Sequence, residues 1–254
     1  MRFFLLAVLL AVPGPARACG LALALLIDVS GSVDPREFDT QVVGLAEALR
    51  DPVVSESLVR QRAALNLIQW TGASRQTVSI PWTPIRTFED LDRFAQTVHD
   101  STRKWRNFST AIGEALTLAE REMAQMAGCK RRVIDVSGDG SSNEGADPAV
   151  LRDRLVAQGI TINALVITGS ERDLVAYFER EVIGGEGAFA LASDGYRDYP
   201  ERIRQKLLRE TASALSEAPG IAPERDHTAQ GVITNAMHPA APRQKTAPIA
   251  ARGP

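Results

Sequence analysis

The sequence predicts an α/β domain: a doubly wound, mostly parallel central sheet with helices on both faces and one antiparallel edge strand. Three observations carry this. Residues 21–29 form a continuous apolar run, as expected of a strand buried on both faces. Further short strands then alternate with helical stretches along the chain, the pattern of a parallel sheet covered on both sides. Two strands, residues 63–70 and 77–82, are joined only by a short turn around Gly72, so the second must run antiparallel at an edge.

After the first strand, Asp34-Pro35-Arg36-Glu37 supplies a capping carboxylate, proline at the first helical position and an acid at the third. These predict a helix running to about Arg50. Residues 88–99 read as a helix, and so do residues 110–127, where Ile112, Ala115, Leu116 and Ala119 recur at helical spacing. Strands at 132–137 and 160–168 flank a helix at 148–158. A short helix at 171–180, a weaker strand at 188–192 and a closing helix at 196–215 complete the pattern. No internal repeat or second domain is visible.

The ends differ from this middle. Arg2, an apolar stretch at residues 3–12, the breaker Pro13-Gly14-Pro15 and the small-residue site Ala16-Arg17-Ala18 predict a signal peptide over residues 1–18, hence an exported, periplasmic or extracellular protein. The apolar stretch is too short for a stable membrane anchor, and no later segment is long enough to be a transmembrane segment. With Cys19 as first mature residue, lipoprotein anchoring is the alternative, but Ala16 stands where such signals usually have Leu. Removing residues 1–18 takes the formal charge from −2 to −4. Neither that nor any basic patch with interleaved aromatics fits a nucleic-acid partner. Residues 218–254 hold six prolines and few large apolar side chains, so they read as a disordered tail. The domain proper is expected over residues 19–217. Two of the three histidines, His227 and His238, fall in the tail, too far apart to argue for a metal site.

Chemistry concentrates where the first strand ends. In Asp28-Val29-Ser30-Gly31-Ser32 a carboxylate and two hydroxyls alternate, so a curled backbone there brings three oxygens to one point. Such a hard, oxygen-only set suits Mg²⁺ or Ca²⁺ better than zinc. Taken alone, these residues equally suit an ordinary polar turn. Two further places are expected at the same sheet edge, where α/β sheets bind their ligands. Thr110 opens a helix after the polar stretch 103–109, and Asp139 ends a strand in Ser137-Gly138-Asp139-Gly140-Ser141.

With those three elements in order, residues 21–215 resemble the von Willebrand factor A domain, the integrin I-type domain. Its metal-ion-dependent adhesion site (MIDAS) pairs D-x-S-x-S with a Thr from a second loop and an Asp from a third. Asp28-Val29-Ser30-Gly31-Ser32 matches the first element, and Thr110 falls three residues before Gly113 as the family's threonine does. Asp139 matches the third element, with Gly138 where the family usually has Thr. The second loop has Asn107-Phe108 in place of the usual glycines. Residues 131–140 and 184–189 are more particular, and similar to a family of uncharacterised exported bacterial proteins built on this domain. The resemblance implies that Asp28, Ser30, Ser32, Thr110 and Asp139 hold Mg²⁺ (or Ca²⁺ or Mn²⁺), directly or through water. One coordination position would be left for an Asp or Glu carboxylate of a protein partner. It also makes the strands after Cys19 and Cys129 parallel neighbours, which implies a Cys19–Cys129 disulfide at the end opposite the metal; a lipidated Cys19 with a free Cys129 is the alternative.

Asp135 stands inside a strand expected to be buried, where a lone charge is very costly, so Asn163 or Arg132 is expected to pair with it. Trp70, Trp82 and Trp105 read as core or rim aromatics. The functional expectation is a cation-dependent binding module and not an enzyme. A metal-dependent hydrolase and a structural subunit with an idle site are the alternatives. Against a hydrolase, the folded part has one histidine, His99, on a helix away from the loops, and no G-x-S-x-G elbow. Oligomeric state is not encoded in any feature of the chain.

Overall fold

The computed structural model describes residues 19–169 and 171–212. The expected signal peptide and Pro-rich tail lie outside the described residues. The chain runs β1 (Leu21–Asp28), α1 (Pro35–Leu49), α2 (Pro52–Arg60), β2 (Ala64–Trp70), β3 (Gln76–Pro84), α3 (Phe88–His99) and α4 (Ile112–Ala124). It continues with β4 (Arg131–Gly138), α5 (Pro148–Ala157), β5 (Thr161–Thr168), α6 (Leu174–Glu181), β6 (Ala190–Asp194) and α7 (Gly195–Ala212). The strand order is β3-β2-β1-β4-β5-β6, with β3 the one antiparallel strand, at an edge. The fold is the doubly wound architecture the sequence predicts.

β1 sits between β2 and β4, parallel to both, with Leu25 beside Leu67 on one side and Asp135 on the other. Its residues alternate in size. Leu21, Leu23, Leu25 and Ile27 face the layer of α1, α3 and α7, while Ala22, Ala24 and Leu26 face α4, α5 and α6. Each fully buried Leu stabilises the fold by roughly 1.5–3 kcal/mol. At the start of β1 the chain is stapled: Cys19 and Cys129 form a disulfide, and Lys130 N–H donates to Cys19 O at 3.0 Å. The bridge closes a loop with a sequence separation of 110, which in the chain-entropy model stabilises by about 4–5 kcal/mol.

Aspartate–proline pairs begin three of the helices. Asp34 caps α1 in a full capping box with Glu37, as predicted, and Asp147 caps α5. The third pair, Asp51-Pro52, starts α2, a nine-residue helix absent from the sequence-based assignment. Several ends also shift. α4 begins at Ile112 instead of residue 110, because the Thr110 carbonyl is taken by Asn143 N–H at 2.9 Å. α6 begins at Leu174 instead of residue 171, because Asp173 adopts a left-handed conformation with φ 56°. Asp135 is paired neither with Asn163 nor with Arg132; its partner is Lys206 of α7. Arg132 instead donates to Gln158 O. Among the described residues no helix is long and apolar enough to cross a membrane.

Candidate metal centre

Three loops meet where β1 and β4 end. The backbone curls after β1 so that Ser30 N–H donates to Asp28 Oδ1 at 2.7 Å, an aspartate turn that holds the carboxylate under its own loop. Ser30 Oγ and Ser32 Oγ then lie 3.1 Å apart, and the Ser32 hydroxyl donates to Asp139 Oδ1 at 2.6 Å. The alternating oxygens of the first loop are therefore gathered, and the third loop is in contact with them.

Thr110 enters from the second loop. Its N–H goes to Asn143 Oδ1 and its carbonyl accepts from Asn143 N–H at 2.9 Å, which locks the second loop to the third. The start of α4 presses on the same loop: a Cβ at Gly113 would collide with Ala146 O. The Thr110 hydroxyl lies 3.8 Å from the point where a Cβ on Gly140 would stand, next to Asp139. Thus the five residues of the three loops are neighbours, four of them nearly inaccessible: Asp28, Ser30, Thr110 and Asp139.

Other side chains that sequence reasoning did not single out hold this arrangement. Arg103 Nη2 donates to Val29 O at 3.0 Å and Ser30 O at 2.8 Å, and Gln41 of α1 donates to Asp28 O at 3.0 Å. Tyr196, in the first turn of α7, donates to Asp139 Oδ2 at 3.2 Å. Glu171 accepts the Ser141 N–H at 3.1 Å. Only Arg103 carried a signal, as part of the polar stretch before Thr110. Gln41, Tyr196 and Glu171 come from distant elements and look like ordinary helix or loop residues.

The electrostatics follow from burial. Asp28 is fully buried and its carboxyl is pushed up to about 7, first by loss of solvent and then by the Asp139 charge. Burial also raises Asp139, against the hydrogen bonds from Ser32 and Tyr196. Asp28 Oδ2 is buried without a hydrogen-bond partner among the described residues. An orphaned buried carboxylate oxygen beside a second carboxylate, ringed by hydroxyls, is a donor set that fits a hard divalent cation. Gly138, where the family pattern has Thr, leaves a position walled by Trp70 and Phe178, each 3.4 Å from where its Cβ would be, and by Asp28 Oδ2 at the same distance.

Solved structures with this fold are matched with probability 1.00. One is proximal thread matrix protein 1 from the mussel byssus, with TM-score 0.60 and 18% identity, covering 76% of this chain and 48% of that one. The same protein is known with a zinc-occupied MIDAS motif, at TM-score 0.57 and 15% identity, covering 77% of this chain and 46% of that one. Another is von Willebrand factor type A from Catenulispora acidiphila, with TM-score 0.54 and 16% identity, covering 76% of this chain and 43% of that one. The chain spans about half the length of these proteins or less, and at such identities the likeness speaks for the fold. No curated protein is significantly similar in sequence. Strand order, the three converging loops and these likenesses agree on a von Willebrand factor A-type fold, and over residues 18–215 the chain belongs to the family described as Protein of unknown function (DUF1194).

Proposed function

We propose that this protein is an exported binding module, residues 19–217, that uses a divalent cation at Asp28, Ser30, Ser32, Thr110 and Asp139 to hold an acidic group of a protein partner. The observation that carries the reading is Asp28 Oδ2, buried and without a hydrogen-bond partner beside Asp139. In an apolar setting two adjacent carboxylates repel, and a bound cation offsets that repulsion. The oxygen-only donor set favours Mg²⁺, with Ca²⁺ or Mn²⁺ as substitutes. Zinc occupies the MIDAS motif of the mussel protein; here no Cys or His stands in the three loops to favour it.

A divalent ion held there would have its charge matched by the two carboxylates, and five protein oxygens would leave a coordination position open for an outside carboxylate oxygen. The chain's own residues do the positioning. Arg103 and Gln41 fix the carbonyls of the first loop, Asn143 fixes Thr110, and Tyr196 and Ser32 each take one oxygen of Asp139. A holding role suits the surroundings better than a cutting one. His99 sits exposed at the end of α3, hydrogen-bonded to Asp100, and not in these loops.

Isothermal calorimetry of the purified chain with Mg²⁺ tests the reading. Saturable binding by wild type and its loss in Asp28→Ala are expected; no binding by wild type overturns it. A pull-down from cell-envelope extract, with and without a chelator, then asks for a partner retained only when the metal is present.

A further inference from the structure

A second cluster of charged groups lies in the interior, away from the metal loops. Asp135, in the middle of β4, faces the α1–α7 layer, where Lys206 Nζ is ion-paired with its Oδ1. The same nitrogen donates to Glu210 Oε1, one turn further along α7, at 2.8 Å. All three are inaccessible: Lys206 is 0% exposed, Asp135 2% and Glu210 2%. Asn163 of β5 donates to the same Glu210 oxygen at 2.8 Å, and its own Oδ1 accepts from Phe189 N–H. The space around Asp135 is closed by Leu25, Leu45, Tyr199 and Ile203 and is too small for a water molecule. Glu210 also borders a cavity of about 460 Å³ shared with Arg131 and Phe189, at the end of the sheet opposite the metal loops.

We propose that Lys206 and Asp135 are joined by an isopeptide bond, with Glu210 as the group that relays the proton. A primary amine and a carboxyl are held in contact in a dry site, beside a second carboxyl able to take and return a proton. That is the arrangement direct condensation requires. Fixed proximity supplies the effective concentration that free amine and acid lack, and the absence of water opposes hydrolysis of the product. The amide is neutral, so the bond removes one positive and one negative charge together and leaves Glu210 as the ionisable group of the cluster.

The step balances without any co-reactant. The Nζ–Cγ bond forms and one Cγ–O bond of Asp135 breaks. Of the three protons on the Lys206 ammonium, one stays on the amide nitrogen and two leave with the departing Asp135 oxygen as water. Glu210 accepts a proton from Nζ as the bond forms and delivers it to the leaving oxygen, so it ends as it began. Nothing is oxidised or reduced. The cavity beside Glu210 gives the released water a way out. The product ties the central sheet covalently to its last helix.

Intact-mass spectrometry of the purified, reduced full chain tests the proposal. The expected mass is one water below that required by the sequence from its observed first residue. Tryptic digestion should then give residues 133–152 joined to residues 205–209, with Lys206 uncut inside the second peptide. Glu210→Gln, which keeps the side chain's shape, should show the full sequence mass. The proposal is overturned by wild type at full sequence mass with Lys206 recovered as a free cleavage site. It is overturned equally if the missing water maps elsewhere in the chain. Cross-linking in Glu210→Gln as complete as in wild type would remove Glu210 from the chemistry.

Discussion

Among the described residues two pairs of acidic side chains are buried, and they are handled in different ways. Under α7, before the bond proposed above closes, Asp135 and Glu210 share the ammonium of Lys206, a cation carried by the chain itself. At the carboxyl edge of the sheet, Asp28 and Asp139 are met by hydroxyls and a backbone N–H, and one Asp28 oxygen is left buried without a hydrogen-bond partner among the described residues. Burial pushes one acid of each pair up to about 7: Glu210, raised further by the charge of Asp135, and Asp28, raised further by Asp139. The interior pair has its compensating cation in place, although Asp135 Oδ2 and Glu210 Oε2 are, like Asp28 Oδ2, buried without a hydrogen-bond partner among the described residues. The edge pair sits among loops and, on the function proposed above, completes itself from outside. The same chemical problem thus has an internal solution under α7 and, on the proposed function, an external one at the sheet edge.

The largest expected effect comes from taking the internal cation away. Lys206→Met leaves Asp135 and Glu210 facing each other in the core, with neither the ion pair nor the bond proposed above, and a loss of at least about 3–5 kcal/mol in urea unfolding is expected, as when one partner of a buried ion pair is removed. A loss below about 1 kcal/mol would show that the interior pair is neutral, and the contrast with the edge pair would fall. Supplying the external cation should have the converse effect. Mg²⁺ at a hundredfold its dissociation constant is expected to stabilise the protein by about 2.7 kcal/mol, read as a rise in melting temperature that a chelator reverses. Asp139→Ala should lose that rise entirely.

Asp28→Asn sharpens the comparison further. Asparagine keeps an oxygen to accept the Ser30 N–H but carries no charge. The metal-dependent rise should vanish while the metal-free protein melts no lower than wild type. A metal-free protein that melts clearly lower would mean that the Asp28 charge is already satisfied within the chain. The smallest effect is expected from Tyr196→Phe, which deletes one hydrogen bond to Asp139. A cost of about 1–2 kcal/mol is expected in thermal unfolding, with less than a tenfold change in Mg²⁺ affinity.

Legibility in the sequence followed the range of the interactions. β1 was readable because a strand buried on both faces needs an unbroken apolar run, and α1 because Asp34, Pro35 and Glu37 cap it locally. The same local signal, Asp51-Pro52, stands before α2. That helix is short and carries exposed Val53, so its apolar pattern is weak. Of the edge site, the three loops were legible because each follows or precedes a readable element and together they follow a family pattern. Tyr196 and Gln41 were not, since each reaches its partner only through tertiary folding. Asp135 was recognised as needing a partner, but the partner was misassigned. Lys206 lies on a helix rich in Arg and Glu, where a lysine reads as a solvated surface residue. Its place at helical spacing beside Ile203 and Leu207 is the local sign that it turns inward, as Glu210 does.

The order of strands has a consequence for how the chain reaches this structure. β1 precedes the other strands of the sheet in the chain, yet it belongs at the centre of the sheet, and its neighbour β4 begins at Arg131. Until that stretch has been synthesised, the apolar strand Leu21–Asp28 has β2 on one side and an open hydrogen-bonding edge on the other. Such an edge is a template for pairing with the wrong chain. Folding dominated by long-range parallel pairing is also slow. The nascent protein therefore passes through a period in which its most hydrophobic strand needs shielding, and its yield should depend on how quickly β4 arrives to cover it.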